Sequence, residues 1–258
     1  MANGTTSERQ TALRASATRT SATRAWVRAI GLVLLIVLIG AIGTYAHAGW
    51  YAHGIFHDRP AKAAGPERPA IVMLSGDMGD RIGMTPKVAA RLHARGYAIV
   101  TVNSLSYFSP RRTAAEAAAL VAGAMRRAMT LGRTDHVVLI GQSFGADMLH
   151  AGLAEFSDAA RRPIRAVILV VPGHDIVFRA SPVELAGWET PDALAWPTAS
   201  RLTWAPVTCI RGAEERGSLC PELAMPNVRR IALPGGHRLE DDDAALAAAI
   251  LHAIGEAR

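Results

Sequence analysis

Six short runs along the chain are almost wholly apolar and rich in β-branched residues. They are AIVMLS (70–75), AIVTVN (98–103), HVVLIG (136–141), AVILVV (166–171), PVTCIR (206–211) and VRRIAL (228–233). Each is too short for a helix of useful length and predicts a buried strand. Between them, stretches near 84–95, 113–131, 144–156 and 241–254 carry the spacing of helices with one apolar face. Apolar strands alternating with helices predict an α/β domain over 69–258, built on a mostly parallel sheet with helices on both faces. The stretch 174–203, with tryptophans and scattered prolines, follows no period and reads as a cap or substrate-facing insertion.

The N-terminal part has a different pattern. Residues 29–46 (AIGLVLLIVLIGAIGTYA) are eighteen positions without a charge, at the lower end of what spans a bilayer. Arg9, Arg14, Arg19, Arg24 and Arg28 precede this run against Glu8 alone, so +4 of the chain's net +6 lies in its first 28 residues. That bias predicts a cytoplasmic N-terminus, a single-pass anchor over 29–48 and everything downstream outside. Ala46-His47-Ala48 also fits a signal-peptide cleavage site, which is the alternative. Residues 1–28, rich in Ala, Thr, Ser and Arg, are expected to be disordered, and 49–68 to form a linker. The remaining +2 is spread without a basic patch, so nothing points to nucleic acid.

The chemistry centres on GQSFG (141–145), where strand-like VVLI runs into a lone serine between two glycines and a helix follows. That context makes Ser143 a candidate nucleophile on a strained elbow, with the Phe144 N–H as one oxyanion donor. On folds of this kind the acid and then the histidine come later in the chain. His237, in the glycine loop PGGHRLEDD after the last strand, is the candidate base; His174 in PGHD is a decoy that precedes the acid. The acid follows PVTCIR, where Glu214 and Glu215 stand together and the spacing favours Glu215. The second oxyanion donor is expected from LSGDMGD, through the N–H of Asp77 or Met78. In an exported protein Cys209 and Cys220, eleven positions apart, suit a disulfide that ties the acid loop. There is no metal-ligand spacing, and the mechanism calls for no cofactor.

LSGDMGD, VNSLSYFSPRRT, LIGQSFGADML, EERGSLCP and LPGGHRLEDD, in that order over about 69–255, resemble the VirJ/AcvB family of exported bacterial α/β-hydrolases. The resemblance implies an α/β-hydrolase fold, a periplasmic location and hydrolysis of aminoacylated phosphatidylglycerol, a membrane phospholipid. It carries the family's serine onto Ser143, its histidine onto His237 and its cysteine pair onto Cys209 and Cys220. Secretion-system proteins are implied as further partners. Two departures stand out. Met78 and Asp80 replace a glycine and a tryptophan of the family loop, and Gly217 replaces an aspartate before S-x-C-P. Asp77, Asp80 and Asp147 are candidates to receive a cationic aminoacyl group, although Asp77 and Asp80 also suit helix capping. Alternatives to the aminoacyl-lipid esterase are a general exported carboxylesterase or lipase and a non-catalytic assembly factor on the same fold.

Overall fold

The computed structural model describes residues 5–50, 54–61, 68–181 and 190–256, with side chains from Trp26 onward except at Ala48 and Glu256. In chain order the elements are α1 (Thr5–Ala48), β1 (Phe56–Arg59), β2 (Ala70–Leu74), α2 (Met84–Ala94), β3 (Ile99–Val102), α3 (Ser104–Tyr107), α4 (Ala114–Gly132), β4 (Val137–Gln142), α5 (Phe144–Leu153), α6 (Asp158–Arg161), β5 (Ile164–Val170), β6 (Asp175–Ile176), β7 (Ala193–Leu194), α7 (Trp196–Ala199), β8 (Val207–Gly212), β9 (Val228–Leu233) and α8 (Asp243–Glu256). Two units make up the chain, residues 1–46 and 47–258.

The described residues of the first unit all belong to the helix α1. Its apolar portion, Trp26–His47, is 22 residues long, about 33 Å at the helical rise, enough to cross a hydrocarbon core. Apolar residues face every direction and are exposed, as in a span or a signal sequence. The basic tail, expected to be disordered, instead continues this helix back to Thr5. No glycine or proline interrupts residues 5–30, and alanine and arginine favour helix. Extending a nucleated helix costs far less than starting one.

In the second unit the strands form one seven-stranded sheet in the order β1-β3-β2-β4-β5-β8-β9. All neighbours run parallel except β1, which pairs antiparallel with β3. All six predicted strands are present, and so are the four predicted helices. Ile71, Met73, Val138, Ile140 and Ile168 bury one sheet face against Val88 and Leu92 of α2 and Leu246 and Ile250 of α8. By the two-residue alternation of a strand, Val72, Leu139 and Val167 point the other way, toward α4 and α5.

Two expectations change. The linker predicted over 49–68 contains β1, whose Phe56, His57, Asp58 and Arg59 pair with Val102, Thr101, Val100 and Ile99. Four half-exposed edge residues leave no apolar run to read, which is why sequence periodicity missed it. The unpatterned 174–203 stretch includes the two-stranded ladder β6–β7 and the single turn α7. Residues 51–53 and 62–67 of the expected linker, and 182–189 of the expected cap, lie outside the described residues.

One buried group makes this unit pH-sensitive. His150, on α5, is fully enclosed, and its Nδ1 lies 2.9 Å from the Thr198 hydroxyl on α7. Burial pushes its pKa down from 6.5 to about 3. The unfolded chain therefore takes up a proton before the native one does, so stability falls as pH drops below 6.5 toward 3. The expected cost from this group is about 3 kcal/mol between pH 7.5 and pH 4.5. Denaturant titration of the wild type and His150→Gln at both pH values should show that loss in the wild type and a correspondingly shallower one in the variant.

Candidate active site

The turn from β4 into α5 is held in a conformation that side chains rarely adopt. Ser143 has φ 52° and ψ −127°, strain of about 1–3 kcal/mol that the surrounding structure must hold. Its N–H donates to the Val170 carbonyl at 2.8 Å, and its own carbonyl accepts from the Ala146 N–H at 2.7 Å to start the helix. The flanking glycines are dictated by space. A Cβ at Gly141 would sit 2.5 Å from Gly145 O and from Ala146 Cα, and one at Gly145 would sit 2.3 Å from Ser75 O. Removing those two side chains lets helix, strand and the β2 loop close together, which lifts the serine hydroxyl above the carboxyl edge of the sheet.

Two other strand ends deliver its partners. Beyond β9, Gly235 turns with φ 84° and brings round His237, whose Nε2 lies 2.8 Å from Ser143 Oγ. Beyond β8, Glu215 Oε1 lies 2.5 Å from His237 Nδ1, and Glu215 Oε2 accepts the Gly212 N–H at 3.3 Å. The Glu215 side chain is 6% exposed while the imidazole is about half exposed. The hydrogen bond to Glu215 is the main force raising the His237 pKa above 6.5. The charges of Glu215 and Asp77 act in the same direction, against partial burial.

Of the two glutamates, Glu215 meets the imidazole; Glu214 is exposed, and its N–H bonds the Gly235 carbonyl at 2.9 Å. Nothing lies within 4 Å of a Cβ built at Gly217, the position of the family's aspartate. Cys209 and Cys220 form the disulfide. It joins β8 to the far end of the loop carrying Glu215, and the Leu219 N–H to Pro172 carbonyl bond holds that end against the chain beyond β5.

A cavity of about 490 Å³ opens over Ser143, lined by Gly76–Gly79, Ile82–Thr85, Gln142, Val171, His237, Arg238 and Asp241. Gly76 lies directly beside the elbow, a Cβ there falling 3.6 Å from Ser143 Cβ. The loop carrying the Asp77 and Met78 amides thus approaches the serine from the side opposite the histidine's strand, since β2 and β8 flank β4 and β5 on opposite sides. Burial raises the Asp77 carboxyl above its ordinary pKa; the charge of His237 and the Met78 and Asp77 amides oppose that rise. Phe144, whose N–H is the other expected donor, follows the serine on α5.

The other two aspartates do not reach the cavity. Asp80 is turned away from it, buried between His57 Nδ1 at 2.5 Å and the Thr101 hydroxyl at 2.9 Å. Asp147 is buried on α5 and accepts the Gly173 N–H at 3.0 Å. Both hold loops in place, which corrects their expected role as receptors for a cationic group. His174 pairs with Glu222 at 2.8 Å. Sequence reasoning missed the rim residues Arg238 and Asp241. They are positioned by a left-handed turn in which Leu239, Glu240 and Asp241 have φ 51°, 54° and 55°, and no residue type in LED signals such a turn. Among the described residues, no group of three or more His, Cys, Asp or Glu is arranged to hold a metal ion.

A sequence model described as "Bacterial virulence protein (VirJ)" matches residues 69–258. The chain belongs to the VirJ family. Its domain also resembles solved structures. Est1E from Butyrivibrio proteoclasticus, with ferulic acid bound, aligns at TM-score 0.55 and 14% identity over 78% of this chain and 95% of that one. The α/β-hydrolase GrgF from Penicillium sp. sh18 aligns at 0.55 and 12% over 78% and 97%, and MenH from S. aureus at 0.55 and 11% over 79% and 98%. At such identities the likeness establishes the α/β-hydrolase fold of this VirJ-family domain. No curated protein sequence matches the chain.

The Glu215 contact can be tested without a substrate. In Glu215→Gln the imidazole pKa of His237 should move downward, since the hydrogen bond that raises it first among its causes is weakened. Glu214→Gln should leave it in place. NMR titration of the His237 ring resonances reads both; equal shifts in the two variants would reassign the acid.

Proposed function

We propose that this protein is a membrane-tethered serine esterase that removes the aminoacyl group from aminoacyl-phosphatidylglycerol. The observation that carries the reading is the chain of contacts Ser143 Oγ, His237 Nε2, His237 Nδ1 and Glu215 Oε1, at 2.8 and 2.5 Å, on the floor of a cavity. Ser143 attacks the ester carbonyl while His237 Nε2 takes its proton, and Glu215 stabilises the resulting imidazolium. The oxyanion forms toward the Phe144 amide and the Asp77 or Met78 amide. His237 then returns the proton to the departing glycerol oxygen, and water, activated by the same imidazole, releases the amino acid from Ser143.

Substrate choice rests on Asp77. Of the two aspartates that line the cavity, Asp241 is paired with Arg238, whereas Asp77 is left poorly solvated by burial. An α-ammonium on the acyl group would supply a compensating positive charge there. The apolar helix supports action at a membrane, with the N-terminus in the cytoplasm and the domain in the periplasm. Seven residues separate Ala48 from Phe56, a tether of at most about 25 Å.

A strained serine aligned with histidine and acid supports an enzyme over a pure secretion-system scaffold, which has no use for that alignment. Full-length protein in detergent, given lysyl- or alanyl-phosphatidylglycerol, should release the amino acid. Ser143→Ala should lose at least about a thousandfold in rate. Asp77→Asn should raise KM for the aminoacyl lipid several-fold and leave KM for a neutral ester unchanged. Undiminished turnover in Ser143→Ala removes the serine from the mechanism, and equal KM effects on both substrates remove Asp77 from ammonium recognition.

A further inference from the structure

The loop between β2 and α2 carries the Asp77 and Met78 amides, and its far half is fastened by a side chain. Within the loop, the Gly79 N–H bonds the Gly76 carbonyl at 3.1 Å. Asp80 then leaves the cavity and plunges into the sheet edge, its side chain 2% exposed. There Oδ2 receives His57 Nδ1 at 2.5 Å from β1 and the Thr101 hydroxyl at 2.9 Å from β3. Oδ1 is enclosed with no hydrogen-bond partner among the described residues. A carboxylate enclosed with one oxygen unsatisfied is a costly way to fill space. An apolar residue would pack the same position more cheaply but could not fix direction. What the carboxylate adds is a directional attachment, made to a strand that precedes the whole family-matched region of 69–258.

We infer that His57 and Asp80 form a clamp that positions the oxyanion loop, so that β1, outside the family-matched domain, belongs to the catalytic apparatus. The inference rests on the esterase reading above. Both are positioning residues: neither lines the cavity, and they act through the Asp77 and Met78 amides. An oxyanion donor stabilises charge that develops only in the transition state, so loosening it lowers kcat and leaves substrate binding almost unchanged. A misplacement of about 1 Å at such a donor costs up to about a hundredfold.

The test uses the full-length protein in detergent with p-nitrophenyl butyrate as the probe. His57→Ala and Asp80→Ala should each lower kcat by about ten- to a hundredfold with KM within about twofold. The double variant should be no slower than Asp80→Ala, since the two act as one unit. His57→Asn, which keeps a donor near Nδ1, should recover most of the rate. Thr113→Ala, which removes the side-chain cap of α4, destabilises the domain away from the loop; it should lower the melting temperature and leave kcat unchanged. Unaltered kcat in both alanine variants overturns the clamp and leaves the esterase reading standing. So does a loss that tracks melting temperature across all variants, or a change confined to KM. If either alanine variant fails to fold, His57→Asn against Thr101→Val, which removes only the hydroxyl bond, gives the same comparison. Absence of turnover by the unmodified protein on both this ester and aminoacyl lipid overturns the esterase reading, and the clamp with it.

Discussion

The backbone at Ser143 can hold its left-handed conformation only because nothing stands between the end of β4 and the start of α5. Contacts of 2.3–2.5 Å await any side chain at Gly141 or Gly145, closer than real carbon atoms approach, so the constraint is steric and local. Its consequences are not local. Once the serine is raised above the sheet, every group that addresses it must come from the same carboxyl edge. In a parallel sheet all strands end there. The Gly76 loop leaves β2, the Glu215 loop leaves β8 and the His237 loop leaves β9, so three separate stretches of sequence converge because their strands point one way.

Charge at the site follows from that convergence. Two carboxylates, Glu215 and Asp77, face one imidazole from different strands, and both raise its affinity for a proton. They are held differently. Glu215 is engaged at both oxygens, by the ring and by the Gly212 amide, so its charge is spent on orientation. Asp77 sits in the cavity wall, where burial penalises its charge and the charge of His237, together with the Met78 and Asp77 amides, offsets only part of that penalty. A group fixed by two bonds suits holding another residue; a group left short of compensation suits meeting a cation from outside.

What the sequence showed and what it hid divide along a physical line. The strands that form the floor of the sheet were readable because burial on both faces imposes an unbroken apolar run. The elbow, the histidine and the acid loop were readable because glycine and charge sit at strand ends. Asp80 and Asp147 were misread for one reason: an aspartate in a loop or first helical turn gives no indication of which way it points, and both point inward to hold a backbone or side-chain donor. β1 was hidden because an edge strand of four residues needs only one side to pair. The tail was misjudged because composition alone omits the helix already nucleated downstream of it.

β1 also changes how the proposed membrane anchor would relate to catalysis. Were residues 49–68 a free linker of twenty residues, as the sequence suggests, the anchor would do no more than raise local substrate concentration, and any tether of similar reach would replace it. With the sheet beginning at Phe56, the chain leaving α1 enters the folded domain within seven residues. One residue later it contributes the side chain that grips Asp80. Through that contact, the placement of β1 bears on the loop whose Asp77 and Met78 amides are proposed as oxyanion donors. The apolar helix proposed as the anchor and the strand proposed to position the oxyanion loop are then neighbours in one continuous stretch of polypeptide.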